Sequence, residues 1–140
     1  MIGKIISIKD LIVYVQLSVN IYQTDSLIGK NVTFDDRFIG EVVAASNSLL
    51  EVSLIGELIN NIFIPGNISL PSFGAICRMT TMKEIDVIYG VDKNSNIIKL
   101  GKSYIYDNYD VCLNINSFFS EHFAILGNSG SGKSHFVAKM

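Results

Sequence analysis

A glycine-rich segment near the C-terminus constrains this chain more than any other feature. The pattern G-x-x-x-x-G-K-[ST], known as the Walker A motif or phosphate-binding loop (P-loop), is matched at every fixed position by Gly127-Asn128-Ser129-Gly130-Ser131-Gly132-Lys133-Ser134. Its glycines let the backbone curl so that N–H groups point inward and form a concave anion site. The alternative, an ordinary Gly/Ser turn, does not explain the lysine and serine that follow. The sequence therefore predicts a site for nucleotide phosphates.

Each part of this segment has an expected role. A helix beginning near Gly132 would direct the positive end of its dipole at the phosphates. Lys133 would supply a point charge for the β- and γ-phosphates, and the Ser134 hydroxyl would bind Mg²⁺. His135 follows on the first helical turn, where packing or solvent contact is favoured over chemistry. The predicted nucleotide-binding residues are Gly127, Asn128, Ser129, Gly130, Ser131, Gly132, Lys133, Ser134 and His135; the predicted metal ligand is Ser134, and no catalytic residue is assigned.

The surroundings of the loop predict the start of an α/β domain. Residues 123–126 are all apolar, as expected for a central parallel strand covered on both faces. A complete phosphate-loop domain also needs further strands, an acidic Mg²⁺ site and a group that orients the attacking water. The residues after Ser134 are too few to supply them. We therefore expect residues 117–140 to begin a RecA-like ATPase domain, and the 140-residue chain alone to be inactive.

Composition predicts a globular, strand-rich chain. Apolar residues make up 49% of it and charged residues 17%, which excludes disorder. The net charge of −2 gives no overall basic field for DNA. The sequence shows neither a long apolar run nor a leader pattern, so a cytoplasmic protein without membrane contact is expected. Cys77 and Cys112 are expected to be two buried, reduced thiols that do not pair with each other.

The first 116 residues predict a mostly β domain. Short segments with period-2 alternation, such as residues 11–17 and 50–54, recur about every ten residues with turn signals between them, which favours a small barrel or sandwich. Predicted strands cover residues 2–8, 11–17, 32–35, 38–45, 50–54, 75–79, 97–101 and 111–115. Thr81 and Glu84 form a capping box at the start of a short helix that ends near Tyr89. A helical turn is expected at residues 117–121.

Three other groups of residues have competing interpretations. Asp35, Asp36 and Glu41 resemble a metal-binding cluster, but acidic residues at a hairpin tip are more often turn formers. A second group combines tyrosines with lysines that would suit base stacking, although acidic residues interrupt it and packing is favoured: Tyr104, Tyr106, Tyr109, Lys99, Lys102, Asp107 and Asp110. For His122, a hydrogen-bonded linker residue is favoured over a switch.

The overall layout resembles the HerA family of hexameric ATPases, part of the HerA/FtsK group. Three blocks carry the resemblance: I-G-K-I-I-S-I at residues 2–8, L-P-S-F-G-A-I-C-R at residues 70–78, and E-H-F-A-I-L-G-N-S-G-S-G-K-S at residues 121–134. Only the third block is specific. Relatives more often carry Thr at the position of Ser129, a change that a backbone-lined loop tolerates.

The resemblance implies a function for a longer protein. It implies an ATP- and Mg²⁺-dependent DNA translocase or helicase whose six copies form a ring around duplex DNA. It also implies that the barrel docks a nuclease or a sirtuin-like effector of antiphage defence. Ile62, Phe63 and Ile64 are apolar residues in a predicted loop and are candidates for that contact. The alternative is that they close one end of the barrel. The alternative function is an assembly and docking module without turnover of its own.

Overall fold

The computed structural model describes residues 1–18, 27–46, 48–66, 69–92 and 94–139. The chain forms two compact units, Met1–Tyr89 and Gly90–Met140. The sequence placed the start of the ATPase domain at residue 117, and that boundary stays a prediction. Parts of the predicted loops at residues 26–31 and 46–48 lie outside the described residues, because Ser26 and Asn47 are not among them.

The first unit is a closed barrel of six antiparallel strands. Neighbouring strands follow the order β2-β1-β7-β3-β4-β5, and pairing between β5 and β2 closes the ring. A seventh strand, β6, pairs with β5 outside the ring. The elements of this unit are β1 (Gly3–Lys9), β2 (Ile12–Leu17), β3 (Asn31–Phe34), β4 (Phe38–Ala45), β5 (Leu49–Ile59), β6 (Ile62–Pro65), β7 (Ile76–Met79) and α1 (Met82–Tyr89). The predicted mostly β fold with an N-terminal barrel is confirmed.

Alternating side chains fill the barrel. Every second residue of β2 points inward, and β5 repeats the pattern, so that Val13 lies opposite Val52 and Val15 opposite Leu50. The period-2 alternation in the sequence therefore identified the inner faces correctly. The buried apolar core comprises Ile5, Val13, Val15, Leu17, Leu27, Val32, Phe34, Phe38, Val42, Leu50, Val52, Leu54, Ala75 and Cys77.

Strand β6 was not predicted. Asn60 and Asn61 have φ values of 51° and 60°, as the two central residues of a type I′ hairpin require, and they turn the chain back along β5. Pro65, which indicated a turn in the sequence, is the last residue of this strand. The position is compatible with proline because β6 has a described partner on one side alone.

Helix α1 confirms the predicted capping box. The Glu84 carboxylate accepts a hydrogen bond from the Thr81 backbone N–H at 2.7 Å, and the Thr81 hydroxyl accepts one from the Glu84 N–H at 3.3 Å. On the inner side of the helix, Ile85 is fully buried. The Tyr89 hydroxyl donates to the amide oxygen of buried Asn31 at 3.1 Å. The capping box thus closes the first turn of α1, and Tyr89 attaches its last turn to the barrel.

The second unit contains a two-stranded hairpin and two short helices. Its elements are β8 (Ile97–Lys102), β9 (Asp110–Asn114), α2 (Ile115–Ser120) and α3 (Lys133–Lys139). Asn114 caps α2 by accepting a hydrogen bond from the Ser117 N–H at 3.0 Å. The buried strand expected at residues 123–126 is not seen: these residues form no ladder with any described segment, and Leu126 is 89% exposed. An apolar run becomes a strand only when a neighbour pairs with it.

Two further predictions concern the cysteines and the membrane. Cys77 and Cys112 are both free, as expected; Cys77 is buried as predicted, whereas Cys112 is only partly buried. Burial raises the pKa of the Cys77 thiol to about 12, so this thiol is inert at neutral pH. In the described part of the chain, no helix is long and apolar enough to cross a membrane.

Candidate nucleotide-binding site

The glycine-rich loop has the backbone conformation that its sequence demands. Gly130 and Gly132 adopt φ values of 80° and 87°, in the left-handed region where a side chain is strained. The Ser131 N–H donates to the Asn128 carbonyl at 3.2 Å and closes the turn between them. The loop is therefore compact although its residues are exposed to solvent.

Gly127 is required for a different reason. A Cβ atom there would lie 2.5 Å from the Ser131 Oγ atom, so a side chain at this position would push the loop open. At Gly130 and Gly132 nothing lies within 4 Å of such an atom. Open space therefore lies beside these two glycines, as the close approach of a phosphate group to the loop backbone would require.

The ammonium group of Lys133 folds back over the loop. Its Nζ atom donates to the Gly127 carbonyl at 2.7 Å and to the Asn128 carbonyl at 2.6 Å. An ammonium group has three N–H donors, so one remains for a phosphate oxygen while the other two keep the loop closed. The charge predicted for the phosphates is thus held at the loop.

Helix α3 begins at the loop lysine, as predicted. The Phe136 N–H donates to the Gly132 carbonyl at 2.9 Å and forms the first helical hydrogen bond. Ser134 and His135 lie exposed on this first turn. The Ser134 hydroxyl is one oxygen ligand of the kind Mg²⁺ binds. Among the described residues no group of three His, Cys, Asp or Glu could hold a metal ion, so Mg²⁺ here would depend largely on the nucleotide's phosphates and water.

The acidic hairpin tip is held by contacts within the barrel. Asp36 accepts a hydrogen bond from Arg78 Nε at 2.9 Å, and Asp35 accepts one from the Ser72 backbone N–H at 3.2 Å. Both aspartates have positive φ values, 49° and 51°, which short acidic residues tolerate in turns. These observations support the interpretation as turn formers over the metal site.

The tyrosine and lysine group has less free positive charge than its sequence suggests. Lys102 and Lys99 both form ion pairs with Asp110, at 2.6 and 2.8 Å, and their hydrogen bonds hold the pKa of Asp110 below its ordinary value. The rings of Tyr106 and Tyr109 meet edge to face at 6.3 Å. For these two rings the arrangement favours packing over base stacking, whereas Tyr104 is fully exposed.

An aromatic cluster precedes the loop and was missed in the sequence. The ring of Phe118 lies 4.4 Å from that of Phe123 and 5.3 Å from that of Phe119, measured between centroids. Phe119 and Phe123 remain about half exposed. The spacing F-F-x-x-x-F was the available signal. His122 lies beside this cluster and is exposed.

The fold and the site together define a class: a small closed β-barrel joined to a P-loop segment. Residues 98–140 match the family described as "Helicase HerA, central domain". The DNA double-strand break repair helicase HerA of Saccharolobus solfataricus is 38% identical over 89 residues, which cover 63% of this chain and 16% of that protein. The chain is therefore similar to the HerA family over residues 98–140 and over this 89-residue stretch. It spans about 16% of the length of this relative.

Proposed function

We propose that this chain is the N-terminal part of an ATP-dependent DNA translocase or helicase. The observation that carries the proposal is the loop itself: a full Walker A pattern with Gly130 and Gly132 in the left-handed region and Lys133 held over its mouth. The similarity to HerA supports the same proposal, since the relative's name describes a DNA double-strand break repair helicase. Because the chain is much shorter than that relative, the activity belongs to the full-length protein.

The proposed ligand is ATP with Mg²⁺. The loop N–H groups and Lys133 would bind the phosphates, and Ser134 would complete the metal's coordination. The binding residues proposed are those from Gly127 to His135. Mg²⁺, when bound, would neutralise charge on the β- and γ-phosphates. We further propose that residues 117–140 begin the nucleotide-binding domain and that residues 1–116 form the barrel domain; the family match starts earlier, at residue 98.

The proposed assembly is a ring of six copies with duplex DNA in its pore. A nuclease or a sirtuin-like effector would dock on the barrel, and antiphage defence is the proposed setting. Support for docking comes from β6, where Ile62 is 63% and Ile64 36% exposed on an edge strand. Phe63 belongs to the fold instead, because its ring lies against Gly56.

The second candidate function is an assembly and docking module without turnover. The closed barrel favours it, because the barrel has its own buried core and its own ring of strands. In contrast, the segment at residues 122–128 is exposed and lacks a paired strand. Under this proposal the P-loop would bind a nucleotide as a structural ligand, or none.

One comparison tests the proposed function. The rate of ATP hydrolysis is measured, with and without duplex DNA, for the full-length protein and for its Lys133→Ala variant. Lys83→Ala, at an exposed position of α1, is the control. We expect Lys133→Ala to lower the hydrolysis rate by at least about 100-fold, because the lysine stabilises charge on the transferred phosphoryl group. Lys83→Ala should keep the wild-type rate. Full activity of Lys133→Ala, or turnover by residues 1–140 alone, would contradict the proposal. Absence of turnover in the full-length protein would favour the docking module.

A further inference from the structure

One surface of the barrel carries apolar side chains between opposite charges. It lies on the outer faces of β1 and β7, the loop before β7 and the tip of the β3–β4 hairpin. We call it the outer patch and define it by Lys4, Ile6, Asp35, Asp36, Phe73 and Ile76. It shares no residue with the P-loop or with the exposed face of β6.

Strand register fixes the order of side chains across the outer patch. Lys4 pairs directly with Ile76 between β1 and β7. Phe34 pairs with Cys77 between β3 and β7, and continuing that antiparallel register brings Asp35 beside Ile76. Asp35, Asp36 and Ile76 also line one cleft of about 400 Å³. The row across the sheet therefore reads cation, apolar residue, carboxylate.

The centre of the outer patch is apolar and strongly exposed. Phe73 is 74% exposed, Ile6 53% and Ile76 51%. Large apolar side chains grouped in this way on a folded surface mark interaction sites. They extend over two adjoining strands and the loop before β7, because Ile6 lies on β1 and Ile76 on the adjoining β7.

The loop that presents Phe73 is held firmly on both sides. The Gly74 N–H donates to the Ile5 carbonyl at 3.0 Å, and the Ile5 N–H donates to the Ala75 carbonyl at 3.1 Å. On the other side, the Ser72 N–H donates to Asp35 at 3.2 Å. Pro71 is buried. A pre-ordered surface loses little conformational entropy when it binds.

The charges on the two flanks are opposite and separated. Lys4 forms no ion pair within the part of the chain that the structure describes. On the other flank, Asp36 remains 85% exposed although it pairs with Arg78, and Arg78 is also bound by Glu84 at 2.7 Å. Asp35 and Asp36 carry two negative charges, whereas Arg78, which also pairs with Glu84, carries one positive charge. This flank is therefore negative, while the Lys4 flank is positive.

We infer that two copies of this chain pair through the outer patch about a two-fold axis. An apolar centre with a cation on one side and carboxylates on the other is self-complementary when rotated by half a turn. Lys4 of each copy then faces Asp35 and Asp36 of its partner, while the apolar centres cover each other. Such a contact closes at two copies and uses no residue of the nucleotide-binding loop.

Mixing two charge-reversed variants tests the pairing. The mass of the full 140-residue chain is measured by sedimentation equilibrium over a concentration series, for wild type, Lys4→Glu, Asp35→Lys and an equimolar mixture of the two variants. We expect a wild-type dimer and a rise of about tenfold or more in the dissociation constant for each variant alone, since the two-fold axis repeats every change. The mixture should dimerise again, because both contacts in the mixed pair become opposite in sign.

Controls separate this contact from folding defects and from other interfaces. Lys9→Glu makes the same charge change on β1 outside the outer patch and should dimerise like wild type. Asp35→Asn keeps a side chain that tolerates positive φ; it should weaken the dimer, and mixing with Lys4→Glu should restore it only in part, because one of the two contacts with residue 35 in the mixed pair lacks a charge on that residue. Phe73→Ser should abolish it. Three outcomes would overturn the inference. They are a wild-type chain that stays monomeric up to about 1 mM, a dimer whose dissociation constant is unchanged by these substitutions, and an assembly of more than two copies.

Discussion

The guanidinium group of Arg78 holds the carboxylate of Glu84 through two hydrogen bonds of 2.9 and 2.7 Å, in the parallel geometry that arginine and carboxylate favour. The same carboxylate caps α1 through Thr81. Arg78 lies on β7 and also binds Asp36 at the β3–β4 tip. One side chain thus ties the helix, a barrel strand and a hairpin together.

This arrangement predicts an acid-sensitive contribution to stability. The Arg78 hydrogen bonds, followed by those of Thr81, lower the pKa of Glu84 to about 2 from the ordinary 4.5. A lowered folded-state pKa contributes stability that is complete above pH 4.5 and is lost as the pH falls toward 2. Glu84→Gln should therefore reduce the free energy of unfolding at pH 7 by about 1 to 2 kcal/mol and flatten its pH dependence in that window. Urea unfolding at several pH values measures both, and an unchanged slope would contradict the assignment.

Burial should make the Arg37–Glu57 pair far more important than the Lys99–Asp110 pair. Glu57 is 1% exposed and accepts from Arg37 at 2.7 Å, whereas both partners of the second pair are exposed. Arg37→Met should cost about 3 kcal/mol, since it removes the cation from a buried carboxylate. Lys99→Met should change stability little, because solvent screens an exposed pair. Denaturant unfolding measures both variants. An equal decrease in the free energy of unfolding would show that burial does not determine the contribution of these ion pairs.

Gly56 and Phe63 should behave as one packing unit. A Cβ atom on Gly56 would collide with the Ile64 carbonyl and with the Phe63 ring. Gly56→Ala should therefore displace β6 and destabilise the chain by about 2 kcal/mol. Ser53→Ala, a control on the same strand, should change stability little. Thermal unfolding provides the comparison, and an unchanged melting temperature for Gly56→Ala would mean that β6 shifts without cost.

The exposed face of β6 provides a separate test of docking. Ile62→Ser combined with Ile64→Ser should leave the fold intact, because both side chains are exposed, and should break the proposed complex between a full-length ring and an effector. Phe63→Ser should instead destabilise the chain. Pull-down of the effector and native mass of the ring are the measurements. Retention of the complex by the double variant would place the docking surface elsewhere.

Residues 122–128 should exchange their amide hydrogens much faster than the barrel strands. They form no described ladder, and Phe123 and Leu126 are exposed, so little protects their N–H groups. Residues of β2 and β5, which are paired on both sides, should be the slowest. Native-state hydrogen exchange on the 140-residue chain measures this. Strong protection at residues 122–128 would contradict an unpaired segment.

Local sequence patterns were sufficient to predict several elements of this structure. The inner residues of β2 and β5 were predictable because alternation has a period of two. The capping box at Thr81 and Glu84 was predictable because its partners are three residues apart. Strand β6 was missed because Pro65 and the paired asparagines looked like a loop. Its hairpin depends on left-handed φ values at Asn60 and Asn61, which the sequence only permits.

The sequence by itself determined the glycine loop, since its positive φ values and its lysine are properties of neighbouring residues. It also determined which faces of the strands are apolar. Only the tertiary structure decided that β2 and β5 pair to close the barrel, that Glu57 is buried beside Arg37, and that residues 123–126 are left without a partner. These outcomes join residues far apart in the chain, and pairing over such distances depends on burial and hydrogen bonding that no local pattern contains.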